Sequence, residues 1–436
     1  MQSVQFSNIF VMVYLAGTAL HLCLNWWLEY ISWRNRQLHG TEIPQELAGF
    51  VDEQLLIKTC GYKNARYAVW KPQFVLGVIL DAGLLLSGVY PRLFLFITGL
   101  CPSLYVAMLL FFAVESLPGA LLSLPFDLYE EFGIEKRFGF STMTLKLWII
   151  DELKGLVVSA VLGIPLGALM IWLILHASGW WWLLIGTVFM AFSLIMSVVY
   201  PLWIAPLFNK FSALEEGELK ERLSLLLDKA GFAAKGVYVM DASKRSRHSN
   251  AYFTGFGKSK RIVLYDTLVS QLTPSEIEAV LAHELGHYKH HHIIKRMCVM
   301  IPLVFASLFI AWCIVKLPLL YTGFGFVPAV QNGSVIPYWQ AMGLFLESSV
   351  FSGYSVLTGV VGNYFSRRDE FQADAYAVRL CGGAEPLVTG LIKLNTENLS
   401  EITPPAVYCL FHYNHPPLLE RIRAARAAAD TTSHVR

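Results

Sequence analysis

The stretch LAHELGHYKH, residues 281–290, places His283 and His287 four residues apart. On a helix that spacing puts both imidazoles on one face, about one turn apart. Two ring nitrogens so placed can share one Zn²⁺ without straining the backbone. Glu284, beside the first histidine, has the position of a general base acting on an attacking water. The bland reading is a polar helix face with incidental histidines. A catalytic zinc also needs a third protein ligand and a position left open. The segment SRRDEFQADAYAVRL, residues 366–380, offers Glu370 and Asp374 at i, i+4. One carboxylate could reach the metal while the other supports a ligand histidine from behind. Spacing alone leaves this open against an ordinary acidic face offset by Arg367, Arg368 and Arg379. His290, His291 and His292 are rival ligands two turns further along, although short histidine runs are more often solvated.

The elements that must hold these groups are legible in part. Thr273-Pro274-Ser275-Glu276 reads as a helix start, with Thr273 capping, Pro274 in the first turn and Glu276 completing a capping box. That helix is expected to run on through 277–292. Upstream, leucines recur at helical spacing from Leu214 to Ala230. KGVYVMD (235–241) and KRIVLYD (260–266) read as short strands. GFGKSK (255–260) reads as a turn between NAYFT and the second strand. Ser249 to Phe253 then becomes a candidate exposed edge for an extended peptide.

The rest of the chain is dissolved in lipid. Of 436 residues, 55% are hydrophobic and 15% charged, against about 25% charged in soluble proteins, and the mean hydropathy is +0.50. A net charge of +2 gives no basic field for nucleic acid. The seven cysteines form no C-x-x-C pair and suggest neither a disulfide framework nor a thiolate site. Apolar spans are expected near 8–28, 74–90, 93–115, 155–176, 182–204, 298–318 and 339–361. The second and third read as a hairpin divided only by Pro91 and Arg92. Lys and Arg crowd alternate connections, whereas 1–7, 177–181 and 319–338 carry none and the 91–92 turn carries only Arg92. Strict alternation over seven spans predicts an outer N-terminus and a cytoplasmic C-terminus. The fold class is thus an α-helical polytopic membrane protein of seven transmembrane helices, with a mostly helical zincin-like domain containing a small β element. Its expected divisions are 1–204, 205–297, 298–361 and 362–436. His21, Asn25, Asp81, Glu115 and Glu347 lie in or near spans, where ionisable groups face a cavity or a partner. Interhelical pairing would also explain them, and for Glu115 a position at a span end. This polarity alone would equally suit a zinc-containing transporter or channel.

HELGH followed by EFQAD, with SRHSNAYFTGF upstream and NHPPLLERI near the end, resembles the CAAX prenyl protease type 1 family of integral-membrane zinc proteases. Similarity extends through LPFDLYEEFGIEKRFGF (124–140) and YPLWIAPLFNKFSALEEGEL (200–219), so it covers most of the chain. The resemblance implies seven spans around a water-filled chamber closed by the zinc domain. It implies His283, His287 and Glu370 as ligands of one Zn²⁺ and Glu284 as the catalytic glutamate. Asp374 matches the family's second acidic position, which orients a ligand histidine or donates a proton. Asn250 and His415 match positions that approach substrate; unaided, they read as a turn residue and a loop residue. Asp369 and Tyr288 stand where the family usually has an aromatic residue and a tryptophan. The implied activity is a zinc metalloendopeptidase removing the C-terminal tripeptide of prenylated proteins, the partners being that peptide or protein and the bilayer. A general quality-control protease for membrane proteins is the alternative within the class. TTSHVR lacks a dilysine-type signal, so a bacterial inner membrane and the endoplasmic reticulum membrane are both expected locations.

Overall fold

The computed structural model describes residues 2–232, 236–254 and 261–433. The expected turn at 255–260 lies outside them.

Among the described residues, six helices are long and apolar enough to cross a membrane: Ile9–His39, Glu53–Leu86, Leu104–Phe138, Leu145–His176, Trp181–Phe208 and His292–Ile314. The pair Pro337–Ser352 and Ser355–Cys381, bent by 71°, makes a seventh if counted as one span. The third span is not where the apolar run placed it. Pro91 lies in the first turn of a short helix, Val89–Leu100, where its missing N–H is one the helix leaves unbonded anyway. The chain breaks instead at 101–103, around Pro102, and the spanning helix begins at Leu104. The predicted hairpin at 91–92 is therefore replaced by a break at Ser87-Gly88, with Gly88 at φ 75°. Glu115 consequently sits inside the third span, not at its end.

The spans ring a chamber instead of packing as a solid bundle. Only 6–17% of each apolar window is buried. Asp81, Glu115 and Glu347 carry no hydrogen bond or ion pair with other described residues, as suits ionisable groups facing water. His21 and Asn25 do pair, Asn25 Nδ2 donating to the His21 carbonyl oxygen at 2.8 Å. A second packed region caps one end, where Trp181 Nε1 donates to Gln340 Oε1 at 2.9 Å.

At the other end the chain folds as a compact α/β unit. Four strands, β1 Phe211–Ala213, β2 Gly236–Met240, β3 Ala251–Thr254 and β4 Arg261–Tyr265, form a sheet in the order β1-β2-β4-β3. β2 and β4 run parallel, pairing Val239 with Leu264, while β3 runs antiparallel to β4, pairing Ala251 with Leu264. β3 is an edge strand, as its sequence suggested. The helices Glu218–Lys229, Pro274–Lys289, Glu385–Glu397 and Leu418–Ser433 share one core with it, centred on Leu264, Ile277, Leu281 and Ile422. The seven cysteines are unpaired.

Candidate metal centre

The HELGH helix spans Pro274–Lys289 and begins as its sequence dictates. Glu276 Oε2 accepts from Thr273 N–H at 2.8 Å, and Thr273 Oγ1 accepts from Glu276 N–H at 3.4 Å. Glu276 then binds Lys393 at 2.7 Å, tying the helix start to Glu385–Glu397. The helix stops earlier than expected. His290 caps it and His291 adopts φ 55°, the left-handed region, so the chain turns before the membrane helix His292–Ile314. The histidine run therefore does not continue the HELGH face.

Opposite lies the Ser355–Cys381 helix, which carries Glu370 and Asp374. Gly286 makes the meeting possible, since a Cβ there would stand 2.8 Å from Ala373 Cα and 3.0 Å from Ala373 O. Across this contact, His283 Nε2 and His287 Nε2 are 3.2 Å apart. Glu370 Oε2 is 3.4 Å from the first and Oε1 3.2 Å from the second. One ligand atom from each of the three lies within 4.8 Å of the others.

The surroundings fix how these atoms face. His283 Nδ1 donates to Asp374 Oδ1 at 2.7 Å. Arg421 grips the same carboxylate from behind, Nε to Oδ2 at 2.9 Å and an Nη to Oδ1 at 2.7 Å. His292, only 1% exposed, points Nε2 at Gln372 Oε1, 3.1 Å away. A carbonyl oxygen only accepts, so Nε2 holds the His292 proton and Nδ1 accepts from His287 Nδ1, 3.0 Å away. Both ligand histidines thus aim Nε2 electron pairs at one point, together with a carboxylate. With both imidazoles neutral, such a set repels itself unless a cation sits between. Among the described residues, Glu370 Oε2 is buried without a hydrogen-bond donor, which a metal would satisfy. Burial opposes charge on His283, yet its bond to Asp374 and the nearby Glu370 carboxylate outweigh this and raise its pKa to about 9, so without a metal its Nε2 carries a proton that a bound cation displaces. Burial likewise opposes charge on the two acids. Even so, His283 and His287 hold Glu370 well below the usual carboxylate range, and Arg421 draws Asp374 to about 2. The residues present fit a divalent cation of the zinc type.

Glu284 carries no hydrogen bond or ion pair with other described residues, and burial raises its pKa. It lines a cavity of about 550 Å³ with His283, Asn250, His415 and Arg421. Asn250 sits at the start of β3, its carbonyl accepting from Tyr265 N–H at 3.0 Å. His415 comes from the C-terminal segment, with Nε2 3.5 Å from Glu370 Oε1. All seven residues singled out in the sequence therefore converge on one place. Sequence reasoning missed Arg421, although it lies in the NHPPLLERI stretch. It also missed Gly286, and it treated His292 as a rival ligand where the fold uses it to hold His287. Asp369 ion-pairs with Arg296 at 3.0 Å and lies 3.6 Å from His292 Nε2, bracing that second layer.

A membrane-embedded metallopeptidase is the class that this combination defines. Residues 32–210 match the family model described as CAAX prenyl protease N-terminal, five membrane helices, and residues 213–429 match peptidase family M48. The chain is 36% identical to the CAAX prenyl protease 1 homolog of Arabidopsis thaliana, over 88% of this chain and 90% of the relative. It is 33% identical to CAAX prenyl protease 1 of Saccharomyces cerevisiae, covering 91% of each. The crystal structure of S. mikatae Ste24p superposes with a TM-score of 0.86 at 30% identity, covering 95% of this chain and 99% of that one. The chain belongs to the CAAX prenyl protease 1 family of M48 peptidases, whose members are metalloproteases.

Proposed function

We propose that the chain is a zinc endopeptidase that removes the C-terminal tripeptide of prenylated proteins. The observation that carries the chemistry is the convergence of three electron-pair donors within 4.8 Å beside a glutamate that has no hydrogen bond or ion pair among the described residues. His283, His287 and Glu370 would hold one Zn²⁺. Bound there, the ion supplies a Lewis acid for the scissile carbonyl and lowers the pKa of water to about 7. Glu284 takes the proton of the attacking water and passes it to the leaving amine, and its raised pKa suits both transfers. Asp374 keeps His283 in the right tautomer, and Arg421 keeps Asp374 ionised. An extended substrate adds to β3 through main-chain hydrogen bonds, which brings its scissile bond to Asn250. Asn250 and His415 stabilise the developing oxyanion.

The substrate class rests on the relatives' names, CAAX prenyl protease 1. The alternation of Lys and Arg supports a cytoplasmic metal domain and an outer N-terminus, in a bacterial inner membrane or that of the endoplasmic reticulum. The chain then divides into five membrane helices (1–204), a metal-domain segment (205–297), two further spans (298–361) and a tail supplying Glu370 (362–436). Purified protein given a farnesylated C-terminal peptide should release a tripeptide, and a chelator should stop it. Cleavage of unprenylated, unfolded membrane protein at comparable rates would favour the quality-control reading instead.

A further inference from the structure

The walls of the site cavity carry a cation that the metal centre does not use. Lys63, on the Glu53–Leu86 helix, lines the same cavity as His283, Glu284, Asn250 and His415. Nearby, Arg36 pairs with Glu401 at 3.2 Å, Arg66 with Glu130 at 2.7 Å, and His248 with Glu135 at 3.1 Å, while Glu29, Asp127 and Glu131 line cavities with Lys63 without forming an ion pair with it. Lys63 has neither a hydrogen bond nor an ion pair among the described residues. Its Nζ merely stands 5.4 Å from the centre of the Tyr62 ring. A half-buried ammonium without a counter-ion is costly, and a bound anion relieves that cost. Asn395 Oδ1 is buried without a donor and lines the cavity. Leu387, Leu391 and Leu394 complete the wall.

A cation without an ion pair among the described residues and an aliphatic wall suit a short apolar peptide that ends in a carboxylate. We propose that Lys63 binds the C-terminal α-carboxylate of the substrate and so fixes how many residues lie between the scissile bond and the chain end. The inference rests on the endopeptidase reading above, in which the departing piece is a tripeptide with a free carboxylate. Three extended residues span roughly 10 Å, and cavities of this volume enclose ligands of that size.

The test measures binding, so it does not depend on turnover. The tripeptide Val-Ile-Met, as free acid and as C-terminal amide, is titrated calorimetrically into the zinc-loaded full-length protein in detergent. Wild type should bind the acid about ten- to a hundred-fold more tightly, the range for a charge-assisted pair. Lys63→Gln should bind acid and amide alike, and Lys63→Arg should keep the preference. Equal binding of both peptides by wild type overturns the proposal. So does an acid preference that survives in Lys63→Gln, which would assign the carboxylate to the metal and leave Lys63 serving Glu401, whose Oε1 is buried without a donor. Cleavage of the farnesylated peptide is read separately. If cleavage fails while the acid preference follows Lys63, the substrate reading falls and the subsite stands. If cleavage succeeds with no acid preference, the subsite alone falls.

Discussion

Replacing Gly286 by alanine tests whether the metal centre depends on the close approach of its two helices. Two effects compete. Alanine is the better helix former, by about 0.8–1.0 kcal/mol in a helix interior. Against this, the new methyl would lie 2.8 Å from Ala373 Cα and 3.0 Å from Ala373 O. Carbon atoms rest at about 3.5–4.0 Å, so the helices must part by roughly 0.7 Å. The obstructing atoms are backbone and cannot swing aside, and overpacking of this kind costs about 1–3 kcal/mol. The clash should therefore win. The helices would also separate where His283 and His287 face Glu370, and metal sites tolerate about 0.2 Å in ligand distance. Expressed wholly as lost metal binding, 1–3 kcal/mol is about a five- to 150-fold fall in affinity. Zinc affinity is measured by competition with a calibrated chelator, and melting temperature is followed on the same preparation. Unchanged affinity with a raised melting temperature would show that the helices accommodate the methyl and that the approach is not needed.

Other outcomes follow from the same geometry. Glu284→Gln should keep its zinc and lose about 10²–10⁴ in turnover; wild-type turnover in zinc-loaded mutant would refute the base assignment. Glu370→Ala should release most of the zinc, whereas Asp374→Asn should lower affinity or activity about 10–100-fold, and zinc analysis showing the reverse order would exchange their roles. Asn250→Ala and His415→Ala should fold and hold metal normally yet lose about 10²–10³ in turnover if they serve the oxyanion. Near-normal turnover with a lowered melting temperature would make both residues structural. Cysteine labelling in the 319–338 loop should occur from the outer side, and labelling from the cytoplasmic side alone would refute the topology.

Local pattern carried much of this in the sequence. The four-residue spacings of His283/His287 and Glu370/Asp374 are helix-face statements, and the Thr273–Glu276 cap is complete within four residues. What the sequence could not supply was reach across the chain. Asp374 meets His283 from 91 residues away and Arg421 from 47, and no spacing rule encodes that. The end of the HELGH helix was illegible for a different reason. Left-handed turns are read from glycine or asparagine, but here His291 takes φ 55°, so the run looked like more helix. Prolines misled in the same way. Pro91 and Pro102 look alike in sequence, yet the first sits in the first turn of a helix and the second in a break between helices, while Pro118, Pro125 and Pro165 lie inside spanning helices, so only the fold shows which proline ends a helix.

The bend at His291 has a wider consequence. His292, which holds His287, is the first residue of a membrane-spanning helix. Glu370 and Asp374 ride on a helix that begins among the apolar residues of the last span. Two of the three proposed ligands therefore depend on helices anchored in lipid. A water-soluble fragment cut out around residues 205–297 would contain the recognisable motif and His292, but neither the membrane helix that anchors His292 nor Glu370 and Asp374. Metal competence in this protein is a property of the assembled bilayer-bound chain, and it cannot be excised as a portable catalytic domain.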